Sequence, residues 1–189
     1  MTPCEAIVMG CSAGGLVALE RVLAGLDPAL RQPIVVCCHT GSPDVSLLVE
    51  LLHRHSRLPV TEARERERLQ PGTVHVAPSG YHLLIEASHR FAISVDPKVA
   101  YARPSIDVLF ETAAAVWHER LVAVLMTGAN SDGALGLKAI RDAGGYAIVQ
   151  DPATAEVDVM PRAGLDIAGA DACVALDAIA DALNRLCLS

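Results

Sequence analysis

Ala6-Ile7-Val8-Met9-Gly10-Cys11-Ser12-Ala13-Gly14-Gly15-Leu16 runs from a short apolar stretch, through a glycine-flanked serine, into helical patterning that begins at Leu16. A strand that turns tightly into a helix is the unit from which parallel sheets are wound. Such a turn can expose a hydroxyl beside free backbone N–H groups, and the helix dipole adds to the positive field that a developing oxyanion needs. Gly10-Cys11-Ser12-Ala13-Gly14 also satisfies the G-x-S-x-G pattern of hydrolase nucleophiles. Taken alone, the stretch suits phosphate binding or a plain βα connection equally well. Cys11 is a second candidate nucleophile. Neighbouring side chains diverge in such a turn, so only one of the two can face a cleft, and the glycines are spaced around Ser12.

Outward from this turn the chain keeps an α/β rhythm. The patterning predicts strands near 5–10, 33–38, 73–77, 121–126, 145–149 and 172–175, and helices near 15–25, 43–55, 104–117, 133–143, 159–168 and 176–187. Val45, Leu48, Val49 and Leu52 recur at i, i+3, i+4, i+7 in the second helix. Pro104 is placed in the first turn of the third. Between these two helices, Pro71-Gly72 and Pro78-Ser79-Gly80 mark turns, and the apolar stretches 82–85 and 91–95 predict an antiparallel hairpin. Aromatic residues are only 3% of a chain that is 52% apolar, so Ala, Val, Leu and Ile must build the core. That composition suits a parallel sheet covered by helices. The expectation is one domain over 1–189: an α/β, doubly wound, mostly parallel sheet with helices on both faces and an attached antiparallel hairpin.

Ligands of such sheets bind outside the carboxyl ends of the strands. Ser12 follows the first predicted strand and His39 the second. Asp132 is the carboxylate in Thr127-Gly128-Ala129-Asn130-Ser131-Asp132-Gly133, after the strand at 121–126. Serine, histidine and aspartate thus fall at one sheet edge, where Ser12 can attack, His39 can carry the proton and Asp132 can hold the imidazole. Each residue also has a plainer reading. His39 can close a strand, Asp132 can cap the helix from Gly133 for about 1 kcal/mol, and Ser12 can be a turn residue. The order Ser…His…Asp differs from the Ser…Asp…His of α/β-hydrolases, and too little chain precedes Ser12 for their oxyanion loop.

Other chemistries find little support. The formal charge is −7 with no basic block, so no nucleic-acid surface is expected. No apolar run reaches membrane-spanning length and no signal segment is present, which predicts a cytoplasmic protein without membrane insertion. Cys4, Cys11, Cys37, Cys38, Cys173 and Cys187 have neither C-x-x-C pairing nor scaffold spacing. His53 and His55 do not share a helix face, and His75, His82 and His89 lack partners at ligand spacing, so no metal is expected. The glycine turn has no P-loop lysine and no completed dinucleotide fingerprint.

Several ordered motifs resemble the catalytic domain of the bacterial chemotaxis protein-glutamate methylesterases, the CheB family, over roughly Ile7 to Leu183. They are the G-x-S-x-G-G turn, His39, Pro71-Gly72 with Ala77-Pro78, and Arg103-Pro104-Ser105-Ile106-Asp107-Val108-Leu109-Phe110. Leu125-Met126-Thr127-Gly128 with Asp132-Gly133-Ala134, Ala143-Gly144 with Gln150-Asp151, and Met160-Pro161-Arg162-Ala163 continue the series. The resemblance implies a serine esterase that removes methyl groups from receptor glutamate methyl esters, and in many members deamidates receptor glutamines. It implies Ser12 as nucleophile, His39 as general base and acid, Asp132 as orienting carboxylate, no cofactor, and methyl-accepting chemotaxis receptors as partners. Backbone N–H groups near Ala13 and Gly128-Ala129 are the oxyanion candidates. Arg103 and Arg162 are candidates for contact with acidic receptor helices or for pairing within the domain. The family's usual receiver domain has no counterpart here, because the chain begins almost at the catalytic turn; a stand-alone enzyme is the expectation. The chain departs from the family at Ala129-Asn130-Ser131, Thr40-Gly41-Ser42-Pro43, Ala102, Glu156 and Asp158. Those departures motivate the alternative of a CheB-like module that binds a receptor or signalling partner with little or no turnover.

Overall fold

Strand β1 (Ala6–Cys11) is buried along its whole length because its alternating side chains feed two cores. Ile7, Met9 and Cys11 join one apolar cluster, whereas Ala6 and Val8 join the other. The computed structural model describes residues 3–188. β1 lies between β2 (Ile34–Cys38) and β7 (Leu121–Leu125), parallel to both. Beyond β2 come β4 (Val74–Val76) and then β3 (Val60–Glu62); beyond β7 come β8 (Tyr146–Gln150) and β9 (Ala172–Val174). All seven strands run parallel, in the order β3-β4-β2-β1-β7-β8-β9. The order in which strands are added reverses at β1, and this topological switch point opens a crevice at the carboxyl ends of β1, β2 and β7.

Helices cover both faces. α1 (Gly15–Gly25), α2 (Ser46–His55) and α6 (Ile179–Cys187) supply Leu19, Leu23, Leu52 and Leu183 to the first cluster. α3 (Ile106–Trp117), α4 (Ala134–Asp142) and α5 (Val159–Ile167) supply Phe110, Trp117, Ile140 and Met160 to the second. Each such leucine or phenylalanine contributes about 1.5–3 kcal/mol by leaving water, which fixes the strand ends that carry the polar residues. A separate two-stranded antiparallel hairpin, β5 (His82–Ile85) and β6 (Phe91–Ser94), adds Leu83, Ile85 and Phe91 to the second cluster. The Ile85 N–H also donates to Thr112 Oγ1 of α3 at 3.1 Å.

The doubly wound architecture and the hairpin are as the patterning predicts, with three local differences. β3 falls where no strand is expected: it has three residues, of which only Val60 is buried, too short for an alternation to show. α2 begins at Ser46 rather than 43, because Asp44 Oδ1 accepts the Ser46 N–H at 2.9 Å and ends the loop there. α3 begins at Ile106 with Ser105 as its N-cap, its hydroxyl accepting the Val108 N–H, so Pro104 precedes the helix instead of occupying its first turn. Among the described residues no helix is long and apolar enough to cross a membrane.

Candidate active site

The three strand ends are stitched together by their backbones before any side chain is considered. The Met126 N–H donates to Gly10 O at 2.9 Å, the Ser12 N–H to Thr127 O at 2.9 Å, and the His39 N–H to Cys11 O at 3.1 Å. The strand ends that lead to Ser12, His39 and Asp132 are therefore joined into one surface. His39 Nε2 and Asp132 Oδ2 stand 2.8 Å apart, across 93 residues of sequence. The structure brings this pair together as the strand-end argument expects, and Ser12 shares a single cleft with His39.

Asp132 is fully buried. It does not cap its own helix; Gly133 occupies the N-cap of α4 without a side-chain bond. Its carboxylate instead reaches the first turn of α3. Oδ2 accepts the Ile106 N–H at 2.7 Å, while Oδ1 accepts the Asp107 N–H at 3.0 Å and the Ser105 hydroxyl at 2.8 Å. Burial alone would raise its pKa, but the bonds from His39, Ile106, Asp107 and Ser105 outweigh burial and hold it below the ordinary carboxylate value. Asp132 is thus a fixed anion behind the imidazole. Because its bond engages Nε2, Nδ1 is the ring nitrogen without a hydrogen-bond partner among the described residues and the one that could exchange a proton, the reverse of the usual serine-protease arrangement.

Asp107 returns the favour to α4. Its Oδ1 accepts the Gly133 N–H at 2.9 Å and the Gly136 N–H at 2.7 Å, so each helix is capped by a carboxylate from the other's segment. Burial pushes the Asp107 pKa up to about 6; the Gly136 and Gly133 N–H groups oppose the rise and the nearby Asp132 charge adds to it. The supporting roles of Ser105 and Asp107 go unseen by strand-end reasoning, which inspects only residues that follow strands. The available signal was a serine placed immediately before a helical run, the mark of an N-cap.

Ser12 is half-buried and lines the cleft; Cys11 is fully buried in the apolar core and does not line it. A hydrogen bond to Cys38 and complete burial push the Cys11 thiol pKa well above its usual value, which leaves it no thiolate to attack with. The Ser12 hydroxyl has no hydrogen-bond partner among the described residues; bonds of this kind commonly tighten only when substrate is present. The turn itself is firmly held. Gly15 N–H donates to Ser12 O at 2.7 Å, and the Thr127 hydroxyl donates to Ala13 O at 2.8 Å. Gly14 has φ 77°, a left-handed conformation suited to glycine, and a Cβ there would meet Glu156 Cβ at 2.7 Å. The Ala13 and Gly14 N–H groups, ahead of α1, and that of Ala129 find no acceptor among the described residues. Gly128, expected as an oxyanion donor, is corrected: its N–H donates to Val157 O at 3.0 Å.

The other candidate groups have partners within the domain. Arg103 donates to Val95 O and Asp96 O, which fastens the segment after the hairpin, and Arg162 pairs with Asp158 one turn away on α5. The ring of His82 bridges Pro97 O and the Ser105 N–H. Among the described residues no group of three or more His, Cys, Asp or Glu side chains is arranged to hold a metal ion. Residues 7–183 match the family model described as CheB methylesterase. A Leptospira interrogans relative is 44% identical over 182 residues, spanning 96% of this chain and 94% of its own length. The Symbiobacterium thermophilum protein-glutamate methylesterase/protein-glutamine glutaminase is 38% identical over 97% of this chain, which spans 51% of that relative. The Mesorhizobium japonicum protein of the same name is 40% identical over 98% of this chain, and 55% of that relative is covered. The catalytic domain of Thermotoga maritima CheB methylesterase superposes with a TM-score of 0.93 at 29% identity, covering 98% of this chain and all of that one.

Proposed function

We propose, from the premise that this chain belongs to the CheB methylesterase family, that it hydrolyses glutamate methyl esters on chemoreceptor-type proteins through Ser12, His39 and Asp132. The observation that carries the residue assignment is the His39–Asp132 pair at 2.8 Å, with Ser12 in the same cleft. Ser12 Oγ attacks the γ-carbonyl carbon as His39 Nδ1 takes its proton. The carbonyl π pair moves to oxygen, and the oxyanion is held by the free N–H groups at the start of α1, Ala13 and Gly14. Collapse expels the methoxy group, which takes the proton from His39 and leaves as methanol, with the acyl group on Ser12. Water then repeats the sequence: His39 takes its proton, the acyl–oxygen bond breaks, and a glutamate carboxylate departs from a restored serine. A glutamine side chain follows the same route with ammonia as the leaving group, so deamidation needs no further residue. Asp132 never takes the proton; it keeps Nε2 protonated and stabilises the imidazolium. The substrates are placed on the cytoplasmic helices of the receptors, and residues 1–189 act as one catalytic domain.

The direct test is methanol release from methylated receptor cytoplasmic fragments by wild type, Ser12→Ala and Cys11→Ala. Wild type is expected to turn over. Ser12→Ala is expected to lose about a thousandfold or more, whereas Cys11→Ala keeps turnover. Persisting activity in Ser12→Ala would refute the mechanism. A folded wild type that binds the fragments equally with and without methyl groups, and releases nothing, would make the protein a binding module.

A further inference from the structure

Two grooves meet at His39, one bordered by α1 and α2 and the other by the segment at 98–104, and they differ in chemistry. One runs between α1 and α2 from Ser12, has a volume of about 310 Å³, and is walled by Leu16, Val17, Leu47, Leu48 and Leu51. The other passes Lys98, Arg103, Tyr101 and Asn130 and is largely polar. The wall of the first groove is conspicuous for its exposure. Leu47 is 64% exposed and Val17 49%, although neither is needed by the core beneath them, which Leu48, Leu52 and Leu19 already fill. Large aliphatic side chains left open beside a nucleophile mark a binding surface more often than a packing accident.

We infer that the α1–α2 groove seats an apolar side chain of the substrate lying one helical turn from the reacting glutamate. The inference rests on the esterase reading above and deepens it. The occupant is chosen by continuity: the groove starts at Ser12, so whatever enters it is covalently close to the acyl group under attack. On a helical substrate, residues three or four positions away project from the same face, about 5–6 Å from the glutamate. An aliphatic or aromatic neighbour at that spacing reaches the leucine wall while the ester carbonyl sits at Ser12. Polar neighbours on the opposite side of the glutamate fall over Lys98 and Asn130. This chain therefore selects esters with an apolar residue at i±3 or i±4 on one side, and discriminates against esters flanked by carboxylates there, since Asp44 also borders the apolar groove.

The test compares Leu47→Glu, Leu47→Gln and Leu47→Met with wild type. Two readouts are taken: methanol release from methylated receptor fragments, and the rate at which diisopropyl fluorophosphate labels Ser12. Leu47 is mostly exposed, so the variants should fold. Leu47→Glu is expected to lower kcat/KM on the receptor fragment about tenfold or more, Leu47→Gln less, and Leu47→Met within about twofold, with labelling unchanged in all three. Replacing the apolar neighbour in the receptor fragment by glutamine should cost wild type a similar factor and Leu47→Glu little more. Wild-type turnover by Leu47→Glu would overturn the inference and assign the groove to another occupant, such as a regulatory domain or a second copy. Equal additive losses in the paired changes would overturn it too. If labelling falls in Leu47→Glu, the neutral Leu47→Gln decides: unaltered turnover there overturns the inference. Absence of methanol release by wild type refutes the esterase reading instead, and this inference with it.

Discussion

Four donors converge on Asp132, two on each oxygen: His39 and the Ile106 N–H on Oδ2, Ser105 and the Asp107 N–H on Oδ1. A carboxylate satisfies all four at once, and an amide cannot. Whichever way the amide of an Asp132→Asn variant is turned, its NH2 confronts a backbone N–H that can only donate, that of Ile106 or that of Asp107. Two consequences are expected together. The unmet donors should cost about 1–3 kcal/mol in urea unfolding, and kcat should fall by about ten-thousandfold because Nε2 of His39 loses the acceptor that keeps it protonated. Measuring kcat under conditions where circular dichroism shows the variant folded separates the two effects. A folded variant that loses less than tenfold would remove Asp132 from the proton path. The residue's position at a strand end was readable from sequence. Its capping of α3 was not, because the N–H groups it meets lie 25 and 26 residues away and come close only once β7 and α3 have packed.

In the proposed mechanism the start of α1 holds the oxyanion, and a neighbouring segment opposes it. Glu156, exposed in the segment between β8 and α5, lies against Gly14; its Oε2 would be 2.9 Å from a Cβ built there. A carboxylate at the N-terminal end of a helix favours the helix, yet it works against a second negative charge developing on the same N–H groups. Glu156→Gln is expected to raise kcat by about two- to fivefold, the effect of one charge at an exposed helix end, and the gain should shrink at high salt. Steady-state methanol release at low and high ionic strength measures it; a fall in kcat would place the oxyanion elsewhere. Elements themselves were legible in proportion to their length. The strand–turn–helix at 6–25 carries enough residues for two periodicities to declare themselves. β3, with Val60-Thr61-Glu62 at the sheet edge, shows no alternation long enough to read and is held by its pairing with β4. Gly128 is closed to a ligand for a related reason: its N–H donates to Val157 O, which only the return of the chain after β8 brings there.

At the scale of the molecule, the His39–Asp132 pair rests on a reciprocal brace. Asp132 caps α3 and Asp107 caps α4, so the two helices that cover one face of the sheet hold each other through two buried carboxylates whose charges repel. Their opposite pKa shifts give the fold a two-sided pH dependence. Asp132 titrates below its ordinary value, so its contribution to stability is present above about 3.8 and disappears as pH falls through its folded pKa. Asp107 titrates at about 6 against an ordinary 3.8, so the fold prefers it protonated. Its contribution is whole below about 3.8 and is lost as pH rises through 6. An Asp107→Asn variant keeps the Oδ1 acceptor for the Gly133 and Gly136 N–H groups and cannot ionise. Relative to wild type, that variant should therefore gain stability steadily between pH 4 and pH 7 and hold a constant advantage above, roughly the range a carboxyl with a pKa near 6 spans. Urea midpoints of the two proteins across that range decide the matter. A gap that stays constant with pH would mean the Asp107 carboxylate is as comfortable ionised in the fold as in the open chain, the Gly133 and Gly136 N–H groups then offsetting both its burial and the Asp132 charge.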